Sequence, residues 1–127
     1  ASGDSFTSRS LISLGSAHLI LFTDSGESGE AGFAPFTDGR GSWYCLSGKG
    51  GALKVSATTL DFTAPAAGEP KGGIGRLDFD LTLKPGSDSL EGAATLYLIP
   101  LGDDPLDKDA LKDGRQFEIT GQRIRAP

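Results

Sequence analysis

The run Arg76–Leu77–Asp78–Phe79–Asp80–Leu81–Thr82–Leu83 alternates polar and apolar side chains without a break. Successive side chains on a strand point to opposite faces. Leu77, Phe79, Leu81 and Leu83 therefore share one face, and Arg76, Asp78, Asp80 and Thr82 share the other. A helix would scatter both sets. The run is predicted to be a strand with one buried and one wet face. Lys84–Pro85–Gly86–Ser87–Asp88 turns the chain, with Pro and Gly placed as in a type II turn. Leu90 to Ile99 then returns, with Gly92, Ala94, Leu96 and Leu98 on one face. Together these residues predict a β-hairpin.

Other segments repeat the theme. Ala17–Thr23, Ser42–Leu46, Leu53–Phe62 and Arg115–Ile124 read as strands separated by turn residues, and Leu11–Leu14 as a first or edge strand after a Ser- and Gly-rich start. Asp24–Gly32 is an acidic turn region, and Ala64–Gly73 a Pro/Ala/Gly loop. Pro35 cannot donate to a ladder, so Phe33–Phe36 is expected at an edge or in irregular structure, where its apolar surface could pair two copies. The 19 glycines in 127 residues suit many tight turns between short strands. One segment departs: Asp104 can cap a helix, Pro105 suits its first position and Gly114 its end, which predicts a short helix over 104–113 packed through Leu106, Ala110 and Leu111. The expected fold is all-β, a single antiparallel up-and-down barrel domain of seven or eight strands, closed or nearly so.

Composition excludes several function classes. A net charge of −5 opposes binding to nucleic-acid phosphates or to an anionic membrane surface. The longest apolar run, Leu19 to Phe22, is far short of a membrane span. Cys45 is the only cysteine and His18 the only histidine. An internal disulfide, a thiolate zinc site and a three-histidine site are all impossible. The chain has no Met, which fits a processed product and leaves the compartment open between cytoplasm and secretion.

Three stretches carry a resemblance. Gly41–Ser42–Trp43 is similar to a Gly-x-Trp strand. The alternating strand from Arg76 runs into Pro85–Gly86–Ser87–Asp88–Ser89–Leu90–Glu91–Gly92, a Pro-Gly-x-Asp-Ser-x-x-Gly turn. The chain ends with Ile119–Thr120–Gly121–Gln122–Arg123–Ile124. Over residues 39–125 the chain resembles small lipocalin/calycin-like β-barrel proteins of bacteria and fungi. It departs from them at the N-terminus, which lacks their opening Gly-x-Trp strand, and at 100–114, where they make a tight turn. The resemblance implies a barrel with a central cavity. It leaves activity open, since such barrels include both binders of apolar ligands and cofactor-free cyclases.

No motif calls for a cofactor or a metal. His18 sits in an apolar run and reads as a satisfied structural or partly exposed histidine, with no catalytic partner in view. Cys45 reads as a buried, inert thiol, since nothing basic nearby would lower its pKa. The acidic residues 103–113 miss the ligand spacing of a calcium loop. Gly72–Gly73–Ile74–Gly75 precedes a strand, the wrong setting for a phosphate-binding loop. Asp78 and Asp80 read as surface carboxylates.

The predicted inward set is Trp43, Cys45, Val55, Leu77, Phe79, Leu81, Leu96, Leu98, Phe117 and Ile119. Small residues such as Ala57, Gly92 and Ala94 leave room among them. Three functions remain: a binder of a small apolar or aromatic molecule; a cofactor-independent cyclase or isomerase for a natural-product intermediate; or a structural or interaction module with a filled core. In the second, Tyr44, Tyr97 or Arg123 would polarise a carbonyl. Whether Arg123 points inward depends on a bulge at Gly121.

Overall fold

The computed structural model describes residues 7–29, 33–65, 68 and 71–127. Residues 1–6 of the Ser- and Gly-rich start, 30–32 of the acidic turn region, and 66–67 and 69–70 of the Pro/Ala/Gly loop lie outside the described residues. Seven strands follow in order: β1 (Ser10–Leu14), β2 (Leu19–Asp24), β3 (Gly39–Ser47), β4 (Leu53–Thr63), β5 (Gly73–Leu83), β6 (Ser89–Pro100) and β7 (Arg115–Gln122). Each pairs antiparallel with the next, giving one sheet in the order β1-β2-β3-β4-β5-β6-β7. The chain is therefore all-β and up-and-down. The predicted hairpin is β5–β6, in register from Gly73↔Pro100 to Leu83↔Leu90, and Gly86 turns it with φ at +66°.

The sheet curls but does not close. It forms a half-barrel whose edges, β1 and β7, do not pair. The eighth strand that would bridge them is absent among the described residues. The core lies on the concave face. Ile20, Phe22, Val55, Ala57, Leu77, Phe79, Leu81 and Ala94 are buried there in one cluster. The Phe22 and Phe79 rings meet at 5.4 Å between centroids, tilted at 55°.

Three local expectations are corrected. The segment 104–113 is no full helix and keeps one 3-10 turn, Lys108–Ala110. The Asp104 carboxylate accepts from the Leu106 N–H (2.9 Å) and Asp107 from the Asp109 N–H (3.0 Å). Such local side-chain bonds compete with helix in a segment too short to sustain it. The segment folds onto the outer face of the sheet, where Arg76 Nη1 donates to the Pro105 carbonyl at 2.8 Å. Ala110 and Leu111 are half-buried, but Leu106 is exposed.

Cys45 is exposed. β2 pairs with β3 only from Gly39 to Ser42, so the rest of β3 has no neighbour on that side and nothing covers the thiol. Ala17 and His18 are not strand. They sit at φ 57° and 60° in a tight reversal closed by the Gly15 N–H on the Leu19 carbonyl (2.7 Å). That chain direction has to be recovered within four residues, which forces the left-handed backbone.

Candidate functional site

The inward face of β4 reads Val55, Ala57, Thr59, Asp61. The first two are apolar, the last two polar, and all four are buried. The register sets their neighbours on β5: Leu81 beside Val55, Phe79 beside Ala57, Leu77 beside Thr59, and Gly75 beside Asp61. One strand further, β6 places Leu98 beside Gly75. On the other side Gly41 stands beside Thr59, and Gly39 lies one step beyond the Arg40–Leu60 pair. The two buried polar side chains are thus framed by glycines. A Cβ at Gly75 would lie 2.5 Å from Asp61 Oδ1, and one at Gly39 would lie 3.0 Å from Thr59 Oγ1. The missing side chains are what let the carboxyl and the hydroxyl lie down on the sheet.

Above this face opens a cleft of about 1420 Å3. β1 and β7 form its two walls. Leu77, Phe79, Leu96, Leu98, Phe117 and Ile119 contribute apolar surface to it, and Asp61 and Gly75 contribute one end. Part of the mouth is crossed by residues 33–36. Phe36 makes an isolated bridge to Thr63, the Ala64 N–H donates to the Pro35 carbonyl at 2.7 Å, and the Phe33 ring reaches Phe117 of β7 at 6.3 Å. The Arg115 guanidinium lies over both rings, at 5.1 and 5.3 Å. The segment expected at an edge is thus irregular, and its apolar side chains line the cleft.

Asp61 is 5% exposed, and its Oδ1 has no hydrogen-bond partner among the described residues; neither has Thr59 Oγ1. Burial pushes the Asp61 carboxyl up to about 7. The Gly75 amide opposes the rise and the Glu27 charge adds to it. Glu27 is itself raised, first by burial, with Asp38 adding, while the Asp24 N–H that donates to its carboxyl opposes the rise. Asp24, at the same end of the sheet, has hydrogen-bond partners where Asp61 Oδ1 has none. Its carboxylate accepts from the Ser8 hydroxyl (2.8 Å), the Ser10 hydroxyl and the Gly26 N–H (2.8 Å), and so ties β1 to β2. No group of three or more His, Cys, Asp or Glu among the described residues could hold a metal ion.

The predicted inward set divides in three. Leu77, Phe79, Leu96, Leu98, Phe117 and Ile119 line the cleft. Val55 and Leu81 lie beneath it as packed core, 3% and 1% exposed. Trp43 and Cys45 share the inward face of β3 but do not line the cleft. Trp43 packs against the core from β3, its Nε1 donating to the Gly15 carbonyl of the β1–β2 turn at 3.0 Å. His18 is exposed in that turn, its Nδ1 3.0 Å from the Trp43 carbonyl.

The three residues considered for catalysis do not meet. Tyr44 is exposed on the outer face of β3 beside a shallow depression. Tyr97 lies on the outer face of β6, paired with Arg76 and against Gly114. Arg123 follows β7, exposed at the rim of the cleft, with its N–H on the Asp88 carbonyl at 2.8 Å. Asp78 pairs with Arg76 at 2.9 Å on the outer face, and Asp80 is exposed there.

Sequence reasoning missed Asp61 and Thr59. The signal was present, because the alternation that places Val55 and Ala57 inward, carried two steps on, places Thr59 and Asp61 inward as well. Among the described residues no helix is long and apolar enough to cross a membrane. No protein-family model, curated protein or solved structure matches the chain.

Proposed function

We propose that the chain binds a small apolar or aromatic molecule in the cleft of its half-barrel. The observation that carries this reading is Leu98, which faces the cleft from near the C-terminal end of β6, just past its pairing with β7, and is 63% exposed. An apolar side chain on the concave face of a sheet is normally covered by core. Here it borders open space instead, together with half-buried Leu96, Phe117 and Ile119. A cleft with apolar walls and few polar groups is the usual form of a small-molecule site. The resemblance to calycin-like barrels supports the same reading. A structural module with a filled centre fits this open space poorly. The cyclase or isomerase alternative has no support from Tyr44, Tyr97 and Arg123, since the two tyrosines lie outside the cleft on separate strands of the outer face and only Arg123 reaches its rim.

Titration with Nile red, a neutral dye that brightens in apolar surroundings, tests the proposal. One saturable site is expected, and Leu98→Arg abolishes it while circular dichroism stays unchanged, because an exposed position bears little of the packing. Absence of saturable binding, or binding indifferent to Leu98→Arg, overturns it.

A further inference from the structure

Resting on that reading, we propose that Asp61 is the head-group site of the cleft, and that its free carboxyl oxygen receives an N–H of a protonated primary amine whose apolar body lies along Leu77, Phe79 and Leu98. Four observations lead there. First, Asp61 lines the cleft although it is almost fully buried, and its Oδ1 lacks a partner. Buried polar atoms are almost always paired, so an orphan bordering open space marks a place for a ligand atom. Second, the flanking positions are glycines: Gly75 lets the Asp61 carboxyl lie against its backbone, and Gly39 does the same for the Thr59 hydroxyl.

Third, the chemistry of the orphans selects the ligand. A carboxylate only accepts, and a threonine hydroxyl can accept. An ammonium with three N–H donors satisfies Asp61 and has donors left for water in the cleft. A carboxylate ligand would add a second anion to a buried one. Fourth, the surrounding charge is negative. Glu27 acts on Asp61 directly, Asp38 and Asp24 act on Glu27, and Asp24 lines the cleft. Lys71 also lines it but is exposed and makes no ion pair with Asp61 among the described residues. β6 presents only Leu98 at this row. The adjacent Leu98 and Leu77 supply apolar contact next to the charge, which is the pattern an amphipathic amine requires.

The experiment compares decylamine, decanol and decanoate by calorimetry at pH 8, below their micellar concentrations, with Nile red as the probe of the cleft itself. The unmutated chain is expected to bind decylamine about tenfold or more tightly than decanol, a typical worth for a hydrogen bond to a charged group, and decanoate least. In Asp61→Asn, an isosteric change, decylamine falls to the level of decanol while decanol and Nile red keep their affinities within about twofold. A pH series on the unmutated chain gives the same answer without a variant. The amine preference shrinks between pH 8 and 5.5, as Asp61 takes up its proton and decylamine keeps its charge; Asp61→Asn removes that dependence even though Glu27 still titrates. Equal binding of the three probes, a preference for decanoate, or an amine preference that survives Asp61→Asn overturns the head-group site. If Nile red still binds in those cases, the apolar cleft stands and only Asp61 loses its role. If Nile red fails as well, both readings fall.

Discussion

Strand β4 carries two chemistries on one face. At Val55 and Ala57 it meets Leu81 and Phe79, and all four side chains are 4% exposed or less. At Thr59 and Asp61 it meets Leu77 and Gly75, and two polar atoms are buried without partners. Both ends are almost wholly buried. Only the first gains from that, because removing apolar surface from water is favourable while burying a carboxyl with an unpaired oxygen is costly. The difference teaches that burial alone does not mark a core. One half of the concave face holds the fold together, and the other half spends stability to keep a polar group against open space.

The largest effect expected is at the packed half. Phe79→Ala removes a ring that is 2% exposed and in contact with Phe22, and should cost about 3–5 kcal/mol in urea unfolding. A cost under about 1 kcal/mol would mean that this half is as loosely filled as the other. At the polar half the sign reverses. The Asp61 carboxyl is raised from 3.8 to about 7, so the folded chain keeps a proton that the unfolded chain has already released. Its stabilising influence is therefore lost as pH rises between those two values. Asp61→Asn should leave stability unchanged near pH 3.5 and raise it at pH 8, by at most about 4 kcal/mol. An equal effect at both pH values would show that the carboxyl is not held neutral by burial.

Gly75→Ala ranks next. The new Cβ would lie 2.5 Å from Asp61 Oδ1, and the displaced carboxyl should make the change cost about 1–3 kcal/mol. In an Asp61→Ala background the same substitution should be neutral or mildly stabilising, since Gly75 has no left-handed backbone to protect and alanine lowers the entropy of the unfolded chain. Additive effects in this double-mutant cycle would break the claim that the glycine exists for the carboxyl.

How legible this was in the sequence depends on how local the determinant is. The period-two run from Arg76 to Leu83 announces its own strand, because alternation depends only on backbone geometry. The Pro85–Gly86 turn then sets the hairpin partner. The number of strands and their sequential order followed from turn spacing in the same way. Closure of the barrel did not, because it depends on whether β1 and β7 reach each other, and no residue pattern encodes that gap. Cys45 was placed on the correct face yet judged buried, since its exposure arises from the early end of β2 rather than from anything on β3. The helix over 104–113 had sound end signals in Asp104 and Gly114, but the Asp104 and Asp107 carboxylates bond amides two residues on and leave one turn. Asp61 was within reach of the alternation rule. It lay inside the predicted strand Leu53–Phe62, but only Val55 of that strand was carried into the inward set.

The smallest effect concerns Trp43, which tests where the packed half ends. Its ring is half-buried against the core, and its Nε1 donates to the Gly15 carbonyl at 3.0 Å. The backbone contact from His18 goes to the Trp43 carbonyl, so it survives replacement of the side chain. Trp43→Phe keeps an aromatic ring in place and removes one hydrogen bond whose acceptor, in an exposed turn, can turn to water. The expected cost is about 0.5–1.5 kcal/mol in urea unfolding. Because Trp43 does not line the cleft, Nile red binding should be unaffected. A loss of dye binding at so small a stability cost would mean that the β1–β2 turn shapes the cleft, and the boundary between the two halves would then have to be drawn on β3 instead of between Ala57 and Thr59 of β4.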